Sequence, residues 1–249
     1  MESTTGSAQE AITGRLASLG QAVLAVFAAF LVASAVVPPT SALLVDAGVF
    51  AQESLALNVV RTVLQFVGFV IAIVGFLAIT DTWHLLHTRR LTARTLLLSA
   101  GAVVVLLAAQ FGAGFLLQAL GVSFGENQVI TQGREAPVYF LYMIPVSLLL
   151  VGPIEELLFR GVVQGVLRRS FGVRAGIVVA SGLFGLVHWI AVSGGPTEKL
   201  AYVAIAGTLG IVLGVLYERT ETIAAPALAH GVYNSVLFVI QYVGATGAV

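Results

Sequence analysis

Seven apolar runs divide the chain, at about 19–37, 59–79, 96–120, 138–167, 174–192, 199–217 and 223–243. A helix that crosses the hydrocarbon of a bilayer needs about 20 residues, so each run predicts one spanning helix. The fourth is long enough to extend beyond the hydrocarbon. The seventh carries Pro226 in its first turn, where a missing N–H has no helical partner to lose. The pattern therefore predicts an all-α fold, a polytopic transmembrane bundle of about seven to eight helices. Two polar lengths, 1–18 and 121–137, show no folded module of their own.

Composition supports this reading. The 249 residues are 58% hydrophobic and 10% charged, with a mean hydropathy of +1.00. A soluble domain carries roughly 25% charged residues. There is no cysteine, which excludes disulfides, a thiolate nucleophile and cysteine-based metal sites. Net charge is zero and no basic patch of the size nucleic acid needs is present. Ala33-Ser34-Ala35 has the form of a leader-cleavage site, but the polar, acidic residues before the first run favour a retained helix. Lys and Arg set the orientation. With the N-terminus inside, the cytoplasmic side holds Arg15, Arg89, Arg90, Arg94, Arg168, Arg169, Arg174 and Arg219, and the outside holds Arg61, Arg134 and Lys199. That asymmetry predicts a multi-pass cell-membrane protein with a cytoplasmic N-terminus.

The polar residues inside the apolar runs carry the chemistry. Glu155-Glu156-Leu157-Leu158-Phe159-Arg160 places three ionisable groups in the fourth run. Charge in the bilayer interior costs a few kcal/mol per group, so such a cluster reads first as a functional site. His188 interrupts the fifth run, and His230 with Asn234 the seventh. Their depths agree. Glu155 precedes Arg168 by 13 residues and His188 follows Arg174 by 14, while Asn234 follows Thr222 by 12. At about 1.5 Å per residue these groups lie roughly 18–21 Å from the arginine-bearing ends of three helices. Depth and arginine bias together predict a site that opens toward the cytoplasmic half of the membrane.

Spacing separates the roles. Glu156 and Arg160 are one turn apart and can pair, the usual structural arrangement for two buried charges. Glu155 faces elsewhere, on the face of Phe159, and is free to act as a general base on water. His188 shares a face with Phe184, with Gly182 and Gly185 leaving room for a neighbouring backbone. His230 and Asn234, again one turn apart, can donate hydrogen bonds to an oxyanion, ligate a metal or hold a carbonyl. A lone His or Asn in a membrane helix is often interhelical glue; a second carboxylate and two histidines at one depth are harder to explain by packing. His84 and His87, beside Arg89 and Arg90, read as ordinary interfacial residues.

The boxes Glu155-Glu156-x-x-x-Arg160, Phe184-x-x-x-His188 and His230-x-x-x-Asn234, in this order, resemble the CPBP family of intramembrane proteases, which includes CAAX prenyl endopeptidases and bacteriocin-processing or self-immunity proteins. The resemblance divides the chain into 1–137, N-terminal membrane helices outside it, and 138–243, a catalytic core. It implies an intramembrane endopeptidase that cleaves membrane-associated or prenylated peptides with an activated water. Glu155, His188, His230 and Asn234 would be catalytic, with Glu156 and Arg160 supporting them. The expected partners are membrane lipid and a membrane-associated peptide or lipidated protein. The family has been described both as metalloproteases and as glutamate-type proteases. A Glu, His, His set can ligate zinc, but the chain has no H-E-x-x-H helix, and the reading leans to metal-independent chemistry. Two other classes are a membrane peptide-binding or immunity protein without turnover, and a proton- or ion-coupled transporter.

Overall fold

The computed structural model describes residues 2–123 and 125–247. It is an all-α bundle. The long helices are α1 (Glu2–Asp46), α2 (Leu55–Thr80) and α3 (Ala93–Ala119), a segmented stretch from Val138 to Val187, α8 (Pro196–Thr220) and α9 (Ala224–Thr246). The segmented stretch consists of α5 (Val138–Val146), α6 (Gly152–Glu156) and α7 (Gly165–Val187), joined by π-helical turns at Ser147–Val151 and Leu157–Gln164. Gly172, with φ 79°, breaks α7 into two antiparallel arms and makes this stretch two spans. The short α4 (Gln128–Glu135) precedes it. Among the described residues five stretches are long and apolar enough to cross a membrane: Ile12–Asp46, Leu55–Thr80, Ala93–Ala119, Val138–Ala191 and Pro196–Thr220. Large apolar side chains such as Leu97 and Phe115 point outward, 74% and 76% exposed. That is the surface a bilayer solvates.

One sequence expectation is corrected. The first helix does not stop at 37 but runs through Pro38 and Pro39 to Asp46. In lipid an unwound backbone has no water to bond, so a helix persists past a missing N–H. The polar length 121–137, expected to hold no folded module of its own, carries the short α4 and a strand, β1 (Glu126–Asn127), paired antiparallel with β2 (Val192–Ser193).

The core joins both halves of the chain. Ala22, Ala25, Ala29 and Ala33 of α1 pack with Phe66, Phe69 and Ile73 of α2 and with Leu158, Phe159 and Val163. The two ends of the bundle differ. At one, Arg168 binds Glu218 at 2.8 Å and His87 at 3.0 Å, Arg89 binds Glu221 at 2.7 Å, and Thr88 bridges Thr222. At the other lie the link 47–54, the β1–β2 pair and α4, whose Arg134 pairs with Glu126.

Candidate active site

Helix crossing assembles the site. A Cβ on Gly152 would lie 2.7 Å from the Ala227 carbonyl oxygen and 2.8 Å from the Gly231 nitrogen. Only glycine lets α6 and α9 approach this closely. The contact sets Glu155 and Glu156 beside His230. A second close approach, Gly185 against the backbone of Val203 and Gly207, seats α7 on α8. Gly182, expected to share that role, faces open space instead. It points outward from the α7–α8 seam.

Glu156 and Arg160 are wholly buried. Their pair is the one expected from spacing, with Arg160 Nε 3.0 Å from Glu156 Oε2. The guanidinium also lies 4.9 Å above the Phe184 ring. Glu156 has a further partner that spacing did not reveal: His230 Nδ1 donates to Glu156 Oε1 at 2.9 Å. That bond leaves His230 Nε2 turned to Glu155, 3.9 Å from its Oε2. The imidazole is thus held between two carboxylates.

Glu155 is half-buried and opens into a cavity, whereas Phe159, expected on its face, is buried edge-on to Phe184. The π-helical turn that starts at Leu157 has more residues per turn than an α-helix, and so rotates the one from the other. His188 caps α7. Its Nδ1 donates to the Phe184 carbonyl at 2.7 Å, so Nε2 carries the free lone pair. Tyr202 stacks on the ring, with centroids 6.0 Å apart, and accepts a hydrogen bond from Asn127 of β1 at 3.2 Å.

Glu155, His188, His230 and Asn234 all line one cavity of about 820 Å³. His188, His230 and Asn234 also line a side pocket of about 70 Å³, walled by Leu106, Leu209 and Leu213. Glu156 and Arg160 line neither; they sit behind the wall. The cavity corrects one expectation about access. Its outer lining comes from Asn58 and Arg61 at the start of α2, from Gln128 and Gln132 of α4, and from Gln241 near the end of α9. These belong to the end of the bundle opposite the arginine cluster. The depth estimates located the polar groups, but the opening expected at the arginine-bearing end lies toward the opposite end of the bundle. The arginine-bearing end is closed by the Arg168–Glu218 network, which also holds the buried Gln164 through Glu218 at 2.9 Å.

Sequence reasoning missed Tyr202, Tyr233 and Gln110, which line the cavity; Tyr233 donates to Gln110 at 3.1 Å. Gln110, a carboxamide near the middle of the third apolar run, was the available signal. His87, expected to be an ordinary interfacial residue, stacks on Tyr217 and meets Arg168.

Both Glu156 oxygens already face Arg160 or His230, and His188 Nδ1 is used by a carbonyl. Among the described residues no three His, Asp or Glu side chains are grouped closely enough to hold an ion. The groups left to hold an ion would be Glu155 and the Nε2 atoms of His188 and His230, whose residues line the cavity.

Residues 137–236 match a family model described as Type II CAAX prenyl endopeptidase Rce1-like. The match covers less than half of the chain, and over residues 137–236 it agrees with the resemblance to the CPBP family of membrane proteases that the three motifs carry. Among curated proteins, "Putative membrane peptidase YdiL" of Bacillus subtilis (strain 168) is 26% identical over 115 residues. The aligned part covers 45% of this chain and 43% of that protein, less than half of either. No solved structure matches the chain significantly.

Proposed function

We propose that the protein is an intramembrane endopeptidase that hydrolyses membrane-associated peptides with an activated water. The observation that carries this reading is the shared cavity. Glu155, His188, His230 and Asn234 face it together, while Glu156 and Arg160 brace His230 from behind.

Glu155 takes a proton from water held by His188 Nε2. The hydroxide adds to the scissile carbonyl carbon. The oxygen that gains charge faces Asn234 and Nε2 of His230, which donates when the ring, held between Glu155 and Glu156, is an imidazolium. Collapse breaks the C–N bond, and the proton on Glu155 passes to the leaving amine. Glu156 and Arg160 are positioning residues, since neither reaches the cavity. In this reading the chemistry lies within 138–243, and residues 1–137 supply part of the wall through Asn58, Arg61, Gln110 and α4. No step requires a metal.

The substrate is a peptide at or in the membrane, with a prenylated C-terminus as one candidate. The test is cleavage of a prenylated peptide and its unprenylated twin by purified protein in one detergent, with Glu155→Ala as control and with and without chelator. Cleavage by the wild type alone, indifferent to chelator, is expected. Equal cleavage of the twins removes prenyl recognition. Loss of cleavage on chelation overturns the metal-free step. A well-folded protein that cleaves no membrane peptide is a binding or immunity protein instead.

A further inference from the structure

The two ends of the bundle differ in charge, and the cavity belongs to only one of them. Eight of the twelve Lys and Arg residues lie at the end closed by Arg168, Glu218 and His87. Arg15 is tied to that end, since it lies over Phe171 and its neighbour Ser18 bonds Ser170 at 2.7 Å. The cavity end holds three cations, Arg61, Arg134 and Lys199, against five carboxylates, Asp46, Glu53, Glu126, Glu135 and Glu198. Loops rich in Lys and Arg stay in the cytoplasm. The mouth of the cavity then lies on the other face.

The lining near the mouth bears on what enters. Asn58, Gln65, Gln128, Gln132 and Gln241 are carboxamides, each able to donate and accept a hydrogen bond. This matches the alternating N–H and C=O of an extended peptide better than it matches a lipid chain. At about 820 Å³ the cavity is within the range of ligand sites. We infer that the site is loaded from the non-cytoplasmic face, by a peptide segment of an exported or membrane-anchored protein. The inference rests on the catalytic reading above for the bond cleaved, but not for the side from which substrate enters.

The test separates the two. The chain has no cysteine, so Gln128→Cys, Glu53→Cys and His84→Cys each carry a single thiol. All three positions are exposed. With a membrane-impermeant maleimide, Gln128→Cys and Glu53→Cys are expected to label in right-side-out vesicles and His84→Cys only in inverted ones. The reverse pattern overturns the inference whatever the activity. In a second arm, an acylated fluorogenic peptide with a charged, impermeant end is offered to each vesicle preparation and to detergent-solubilised protein. Cleavage by right-side-out vesicles, at least tenfold above inverted ones, is expected. Equal cleavage by both, or cleavage in detergent but not by right-side-out vesicles, overturns the inference while the protease reading stands. Absence of cleavage in all three sinks the protease reading, and the labelling still decides which face the cavity meets.

Discussion

Removing Arg160 tests the construction of the site most directly. Its side chain and that of Glu156 have no solvent exposure, and their closest atoms are 3.0 Å apart. In Arg160→Met the volume is roughly kept but Glu156 Oε2 loses its cation, and only His230 still bonds the carboxylate. Breaking a buried pair by removing one partner costs about 3–5 kcal/mol, because a charge is left uncompensated. For a chain of this length each kcal/mol shifts the melting temperature by about 2–4 °C, so the expected fall is about 6–20 °C. The remaining His230 bond argues for the lower half of that range. Glu156→Gln alone leaves Arg160 with its charge over Phe184 and no carboxylate, and is expected to cost a similar amount. The double variant removes both charges and is expected to recover at least about 2 kcal/mol relative to the sum of the singles. The assay is thermal unfolding in one detergent, followed by intrinsic fluorescence of the four proteins. Melting temperatures within about 2 °C of wild type for both singles, or a double variant equal to their sum, would refute the buried-pair argument.

Glu155→Gln is expected to cut turnover by about 10²–10⁴-fold, with little change in melting temperature because the side chain faces the cavity and has no close ion-pair partner to lose in the packed core; if Glu156→Gln alone abolishes turnover at unchanged stability, the two carboxylates have been assigned in reverse. Gly152→Ala forces a Cβ to within 2.7 Å of backbone in α9, so the helices must part, at a cost of about 1–3 kcal/mol. The Glu156–His230 bond should then lengthen and turnover fall about 10²-fold; normal kinetics in that variant would show the crossing to be incidental. Arg168→Ala removes a partly exposed pair at the closed end, and should lower stability by about 1 kcal/mol or less and leave turnover unchanged. A folded Arg168→Ala protein without turnover would mean that this network reaches the site.

By itself the sequence determined the all-α membrane architecture, because spanning segments need long apolar runs and the runs are there to count. It determined the Glu156–Arg160 pair, because four residues on a helix share a face whatever surrounds them. The depth agreement of Glu155, His188 and Asn234 was legible for the same reason, since rise per residue is a property of the helix alone. Tertiary structure decided the rest. That His230 bonds Glu156 depends on the crossing of α6 and α9 at Gly152 and Gly231, a contact between residues about eighty positions apart that no local spacing encodes. That Glu155 opens to the cavity while Phe159 is buried depends on π-helical winding, which departs from the regular period used to read the faces. Which end of the bundle the cavity meets depends on how α2, α4 and α9 splay around it. Depth along one helix locates a polar group but not the route by which water or a peptide reaches it.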